Sequence, residues 1–78
     1  MKKIKIKFLN LGYKNINQAK ALVYNQEKRI VYEGYTYNNE LILCLEEKEV
    51  YKLVASSSQS TMCIIFYVQK DKEIFIKN

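Results

Sequence analysis

Side-chain catalysis needs a base, a nucleophile or a set of metal ligands placed against one another, and this sequence is short of all three. It contains no histidine, and its cysteines are two, Cys44 and Cys63, far apart in the chain. Zinc-binding spacing with four ligands cannot be assembled from them. A cysteine nucleophile lacks its commonest activating base. Cys63 stands between Met62 and Ile64 in the most apolar stretch, which reads it as a small core side chain. Glu46, Glu47 and Glu49 gather around Lys48 without the glycine and asparagine arrangement of a calcium loop, so they read as a solvated turn. Gly12 and Gly34 stand singly and form no loop that could cradle a phosphate. The expectation is a protein with no enzymatic activity, no cofactor, no metal and no small-molecule substrate.

Binding chemistry is better represented. Lys2, Lys3, Lys5 and Lys7 lie on the first apolar-alternating stretch, where a strand would line ammonium groups along one edge or face that could track phosphates. Lysines on an exposed strand also discourage edge-to-edge aggregation, which explains them without a ligand. The seven tyrosines include Tyr35 and Tyr37 in Gly34-Tyr35-Thr36-Tyr37, a segment similar to the aromatic strands on which single-stranded nucleic acids stack. Glu33 stands before that glycine where a ribonucleoprotein motif has a basic residue. Tyrosine is equally a strand and interface residue. The stretch Met62-Cys63-Ile64-Ile65-Phe66-Tyr67-Val68 is apolar on both strand faces, although a sandwich strand normally shows one face to water. Ile64, Phe66 and Val68 fall on one face and Cys63, Ile65 and Tyr67 on the other. The second set needs cover, from residues 10–18, from another copy or from a different protein.

At 78 residues the chain has room for one domain, which buries only about 60% of the surface its unfolded form exposes. Thirteen basic and eight acidic residues give a net charge of +5, within what a small domain uses to stay dispersed and only mildly favourable to acidic partners. The charged start, Met1 to Phe8, lacks the continuous apolar run of a signal peptide, and no apolar run is long enough to span a bilayer as a helix. A cytoplasmic protein with free thiols and no membrane contact is expected.

The chain has no proline and is rich in Tyr, Ile and Val, with short apolar stretches about every ten residues. The pattern predicts strands at Lys3 to Leu9, Ala19 to Tyr24, Arg29 to Thr36, Glu40 to Leu45, Val50 to Ala55, Thr61 to Gln69 and Glu73 to Lys77. Ile4, Ile6 and Phe8 share one face; so do Leu41, Leu43 and Leu45, and so do Tyr51, Leu53 and Ala55. Asn25 to Lys28, Asn38-Asn39, Glu46 to Glu49 and Gln69 to Lys72 read as hairpin turns, with Asn38-Asn39 suited to a tight primed turn. Ser56 to Ser60 is a serine loop. Asn17 could instead cap a short helix over 16–23. The fold expected is all-β, a seven-stranded antiparallel sandwich, with an α+β chain carrying that helix or a small OB-like barrel as alternatives.

From Ala19 to Lys77 the chain resembles the prealbumin-like β-sandwich shared by transthyretin-like and collagen-binding B-type domains. The resemblance rests on Ala21-Leu22-Val23-Tyr24, the Gly34-Tyr35-Thr36 strand end, the Asn38-Asn39 turn before Leu41-Ile42-Leu43, and Tyr51-Lys52-Leu53. Lys28 and Asn39 stand where that family often has glycine. Some collagen-binding domains join a first-strand Lys to a last-strand Asn with help from a Glu. Here Lys5 or Lys7 and Asn78 would be the pair, but Ala55 and Ser56 occupy the acid's neighbourhood, so no crosslink is expected. Fold alone does not fix function. The expectation is a protein-interaction or structural module, of the kind a bacterial or phage-encoded accessory or inhibitor protein would be, binding a protein partner or another copy through Cys63, Ile65 and Tyr67. The alternative is a small nucleic-acid binder using Lys2, Lys3, Lys5, Lys7, Tyr35 and Tyr37, with contacts of ordinary non-specific strength.

Overall fold

Alternation decides which side of each strand can meet the core, and the computed structural model, which describes residues 1–9, 19–57 and 61–77, follows it in every strand but β3, where a register shift opposite Val23 and Tyr24 leaves Ile30 and Val31 both exposed. Seven strands run in chain order: β1 Lys2–Leu9, β2 Lys20–Tyr24, β3 Ile30–Tyr35, β4 Glu40–Leu45, β5 Glu49–Ser56, β6 Thr61–Val68 and β7 Lys72–Lys77. They form a three-stranded sheet in the order β4-β1-β7 and a four-stranded sheet in the order β3-β2-β5-β6. The all-β, two-sheet fold agrees with the sequence, and every strand lies within a residue or so of its expected bounds. No helix occurs among the described residues. Of residues 19–23, the described part of the alternative helix over 16–23, 20–23 are strand because Ala21 and Val23 point into the core on the two-residue period, not on a helical one.

All neighbouring strands are antiparallel except β1 and β7, which run parallel with Ile6 beside Ile74. A parallel pair cannot be closed by a hairpin; here it joins strands near the two ends of the chain. Two side interactions seat β1 between its neighbours: the Phe8 N–H donates to the Asn39 carbonyl at 2.8 Å and the Lys3 N–H to Asp71 Oδ1 at 2.9 Å.

The core is one apolar layer. Ile4, Ile6, Phe8, Leu41, Leu43, Leu45 and Ile76 meet Ala21, Val23, Tyr51, Leu53, Ala55, Phe66 and Val68. Tyr51 is buried with its ring centroid 6.1 Å from that of Phe66, and its hydroxyl accepts the Glu46 N–H at 3.1 Å. A buried phenol needs such a partner, and this one ties the β4–β5 turn to the core.

The turns use left-handed backbone without glycine. Lys28, Asn38, Asn39 and Lys48 have φ of 65°, 52°, 61° and 64°. Positive φ at both Asn38 and Asn39 is the primed geometry expected there, closed by reciprocal Tyr37 and Glu40 backbone bonds of 3.0 Å. In the β2–β3 turn Asn25 Oδ1 accepts the Glu27 and Arg29 N–H groups, each at 2.9 Å. That side-chain turn holds Lys28 in a conformation costing a non-glycine residue on the order of 1 kcal/mol. Residues 58–60 of the serine loop lie outside the described residues, and Ser56 is the last residue of β5.

Among the described residues Thr36 is the one buried polar side chain. Its Oγ1 accepts the Ala19 N–H at 2.8 Å, while its own N–H donates to the Ala19 carbonyl at 2.9 Å. This reciprocal pair fixes the start of β2 against the end of β3. Thr36→Val keeps the side-chain shape but leaves the buried Ala19 N–H without its acceptor, so unfolding should become easier by about 1–3 kcal/mol. Urea unfolding measures this, and an unchanged midpoint would mean that the contact carries no stability.

Candidate functional site

Since the inward faces are spent on the core, binding chemistry can only lie on the outer faces and the sheet edges. The outer face of the three-stranded sheet carries the lysines. Lys3, Lys5 and Lys7 point away from the core along β1, whereas Lys2 shares the inward parity of Ile4 and does not extend the row. The row is therefore shorter than the four lysines read from the sequence. It also runs down the central strand of its sheet, so guarding an edge is not its role.

The row is not free positive charge. Glu40 Oε1 lies 3.8 Å from Lys5 Nζ and 3.9 Å from Lys7 Nζ; Glu73 sits beside Lys5 in the register of β7; and Lys7 Nζ lies 5.7 Å from the ring centroid of Phe75. Pairs this exposed contribute at most about 1 kcal/mol each, but they lower the local field that a polyanion would meet. Tyr35 and Tyr37 reach the same region: they line a shallow depression of about 230 Å³ with Tyr32, Glu40, Leu41 and Ile42. Both rings are mostly exposed. The structure thus brings Lys5, Lys7, Tyr35 and Tyr37 around Glu40, which sequence reasoning passed over. Its pairing with Lys7 across the ladder was not visible, because alternation reveals a residue's face and not its neighbour.

The outer face of the four-stranded sheet is different. Across its strands run Leu22, Val54 and Cys63 in one row and Tyr24, Lys52 and Ile65 in the next, with Val50 beside Tyr67. Ile65 is 70% and Tyr67 47% exposed. Phe66 and Val68 point inward and are buried, while inward-facing Met62 and Ile64 are only partly so. The two faces of β6 divide as the sequence indicated. Residues 10–18, considered above as its cover, lie outside the described residues.

Cys63 is corrected: it is exposed on this outer face and is not a core residue. Its neighbours Met62 and Ile64 take the inward positions, and an apolar run with no polar residue gives no sign of which parity faces in. Cys44 is exposed too, on the outer face of the other sheet. The core separates the two thiols, so no bridge within one chain can form. Lys5 and Lys7 likewise face away from the core layer, and Asn78 lies outside the described residues.

β6 is also an edge strand, and among the described residues no strand pairs with its outer edge. The Val68 carbonyl accepts the Lys48 N–H at 2.6 Å on the β5 side, whereas the Tyr67 carbonyl, turned the other way, accepts from Lys72 Nζ at 2.7 Å. Backbone alternation then points the N–H and C=O groups of Thr61, Cys63 and Ile65 away from β5. The other edges carry charge: Glu33 on β3, Glu40 on β4, and Lys72 and Glu73 on β7. β6 has no charge, proline or glycine.

Among the described residues no three His, Cys, Asp or Glu side chains converge as a metal site, and no helix is long and apolar enough to cross a membrane. No protein-family model matches the chain, and no curated protein or solved structure does.

Two outcomes follow. A thiol reagent should label both cysteines of the native protein without denaturant; protection of either would contradict the outward placement. Glu40→Gln frees Lys5 and Lys7, so affinity for single-stranded DNA at low salt should rise several-fold and the salt slope should steepen by about one phosphate contact. Wild-type binding should stay in the non-specific range of about 10⁻⁴–10⁻⁶ M. Sub-micromolar wild-type binding, indifferent to Glu40→Gln, would contradict this account of the lysine row.

Proposed function

We propose that this chain is a non-catalytic protein-interaction module that binds through strand β6 and the outer face beside it. One observation carries the reading: β6 is the only edge strand among those described without a charged residue, and Cys63, Ile65 and Tyr67 stand exposed on its outer side. Natural edge strands are ordinarily blunted by charge, proline or bulges, because an open row of backbone donors and acceptors is a template for pairing. An edge strand with no charged residue of its own fits a binding element better than an oversight. Exposing several large apolar side chains forgoes about 1.5–3 kcal/mol each relative to burial, which a domain this small recovers when a partner covers them.

The prealbumin-like relationship is part of the same proposal. Its support is that Lys28 and Asn39, standing where that family often has glycine, both adopt the left-handed backbone that glycine favours. The nucleic-acid reading is the weaker one, because Glu40 and Glu73 flank the lysines that would carry it.

The test is capture from an extract of the native cell. Proteins retained by immobilised wild type should be lost with Ile65→Glu and kept with Lys5→Glu. Retention that follows Lys5 and is released by nuclease would overturn the reading in favour of nucleic acid.

A further inference from the structure

We infer that the partner of β6 is β6 of a second copy, the two strands pairing antiparallel across a two-fold axis at Ile64. This rests on the interaction reading above and names its occupant.

The register follows from which backbone groups are free. Thr61, Cys63 and Ile65 turn their N–H and C=O groups to the open edge, and Tyr67 does the same with its carbonyl held by the exposed Lys72 Nζ at 2.7 Å, a bond that the Thr61 N–H of a second copy would replace; only a register that sets these residues opposite one another forms a ladder. An axis at Ile64 does so for all of them: Thr61 faces Tyr67 of the second copy, and Cys63 faces its Ile65. Moving the axis to Ile65 leaves Thr61 without a strand partner, and moving it to Cys63 leaves Tyr67 without one. The Ile64 axis also sets a small side chain opposite a large one on the outer face. On the inner face it lays Ile64 against Ile64 and Met62 against Phe66. Met62 and Ile64 are the inward residues of β6 that the three-stranded sheet only partly covers. Pairing along the edge therefore removes water from both sides of the strand.

Charge allows a second copy in this mode and disfavours face-to-face stacking. Each copy carries +5, yet no residue of the two paired strands is charged. The nearest ammonium, Lys72 Nζ, lies at the Tyr67 carbonyl. With the axis at Ile64 the two Tyr67 residues are six positions apart along the ladder, roughly 20 Å, well beyond the screening length of about 8 Å in physiological salt. Stacking the two outer faces instead would press Lys52, which sits beside Ile65 on that face, into a dry interface without an acid. The edge mode leaves Lys52 in water. It also stops at two copies, because the remaining edges are charged and a two-fold contact uses its surface on both partners.

Light scattering behind size exclusion should give twice the 9.3 kDa chain mass for wild type at high micromolar concentration and for Ile42→Lys, but the single-chain mass for Ile65→Lys. Ile65 is too exposed for that change to unfold the domain, and circular dichroism checks it. Register is read from disulfides in a Cys44→Ser background. One variant keeps Cys63; the other combines Cys63→Ser with Ile65→Cys. Mixed and oxidised, they should crosslink to each other, since directly opposed residues about 5.5 Å apart at Cα suit a disulfide, and neither should crosslink with itself. A monomeric wild type, or self-crosslinking of either variant, overturns the proposal. If purified wild type is monomeric while capture from extract still depends on Ile65, the self-pairing falls and the interaction reading stands; if that dependence is missing as well, both fall.

Discussion

A single apolar layer between two sheets governs this molecule. A strand can give only alternate residues to such a layer, so each inward residue commits its neighbours outward. Ile4, Ile6 and Phe8 send Lys3, Lys5 and Lys7 to water; Leu41, Leu43 and Leu45 send Ile42 and Cys44; Phe66 and Val68 send Ile65 and Tyr67. Nearly half of the residues are hydrophobic, 49%, more than the inward positions can absorb. The surplus lies outside, on Ile42, Ile65, Tyr67 and Phe75, with no third layer among the described residues to cover it. Scattered exposed apolar residues are ordinary. A row of them on an edge strand without charge is not.

With so small a core, the polar groups that border it matter disproportionately. Thr36 and Ala19 exchange hydrogen bonds where β2 begins, Tyr51 holds the β4–β5 turn, and Asp71 takes the Lys3 N–H where β7 is about to start. Each occupies a backbone group that the ladder leaves unpaired at a strand end. The same economy explains left-handed Lys28 and Lys48 in turns without glycine. The side-chain turn of Asn25 and the bond from Lys48 N–H to the Val68 carbonyl hold backbones that lysine would not choose.

How much of this could be read from the sequence divides along a physical line. Alternation and turn residues are local, so the strands, the inward Leu41, Leu43 and Leu45, and the Asn38-Asn39 turn were all legible. Pairing is not local. Nothing in Lys2 to Leu9 says that it lies between β4 and β7, or that it runs parallel to the latter, and so the lysine row could be mistaken for an edge guard. Nor does alternation speak where every residue is apolar. Along β6 it separated two faces, and Cys63, read both as a small core side chain and as one of the set with Ile65 and Tyr67 that needs cover, is exposed with that set. Glu40 was missed for the first reason: its effect on Lys5 and Lys7 depends on a neighbour supplied by the ladder.

The distribution of charge over the surface decides more than its sum. At physiological salt, charges farther apart than about 8 Å scarcely feel one another, so a net +5 does not by itself keep copies apart. What counts is the charge at the surfaces that touch. On the three-stranded sheet the lysines sit among Glu40, Glu73 and Phe75, a mixed surface that favours water over either a polyanion or another copy. At β3, β4 and β7 a strand arriving edge-on would have to bury or crowd at least one ionised group, at a cost of several kcal/mol when no counter-charge meets it. No residue of β6 itself imposes such a cost, and Lys72 reaches only its Tyr67 end. The backbone ladder is nearly the same strength at every edge, so the placement of a few charged side chains, and not any special affinity of β6, leaves one edge of four open to pairing.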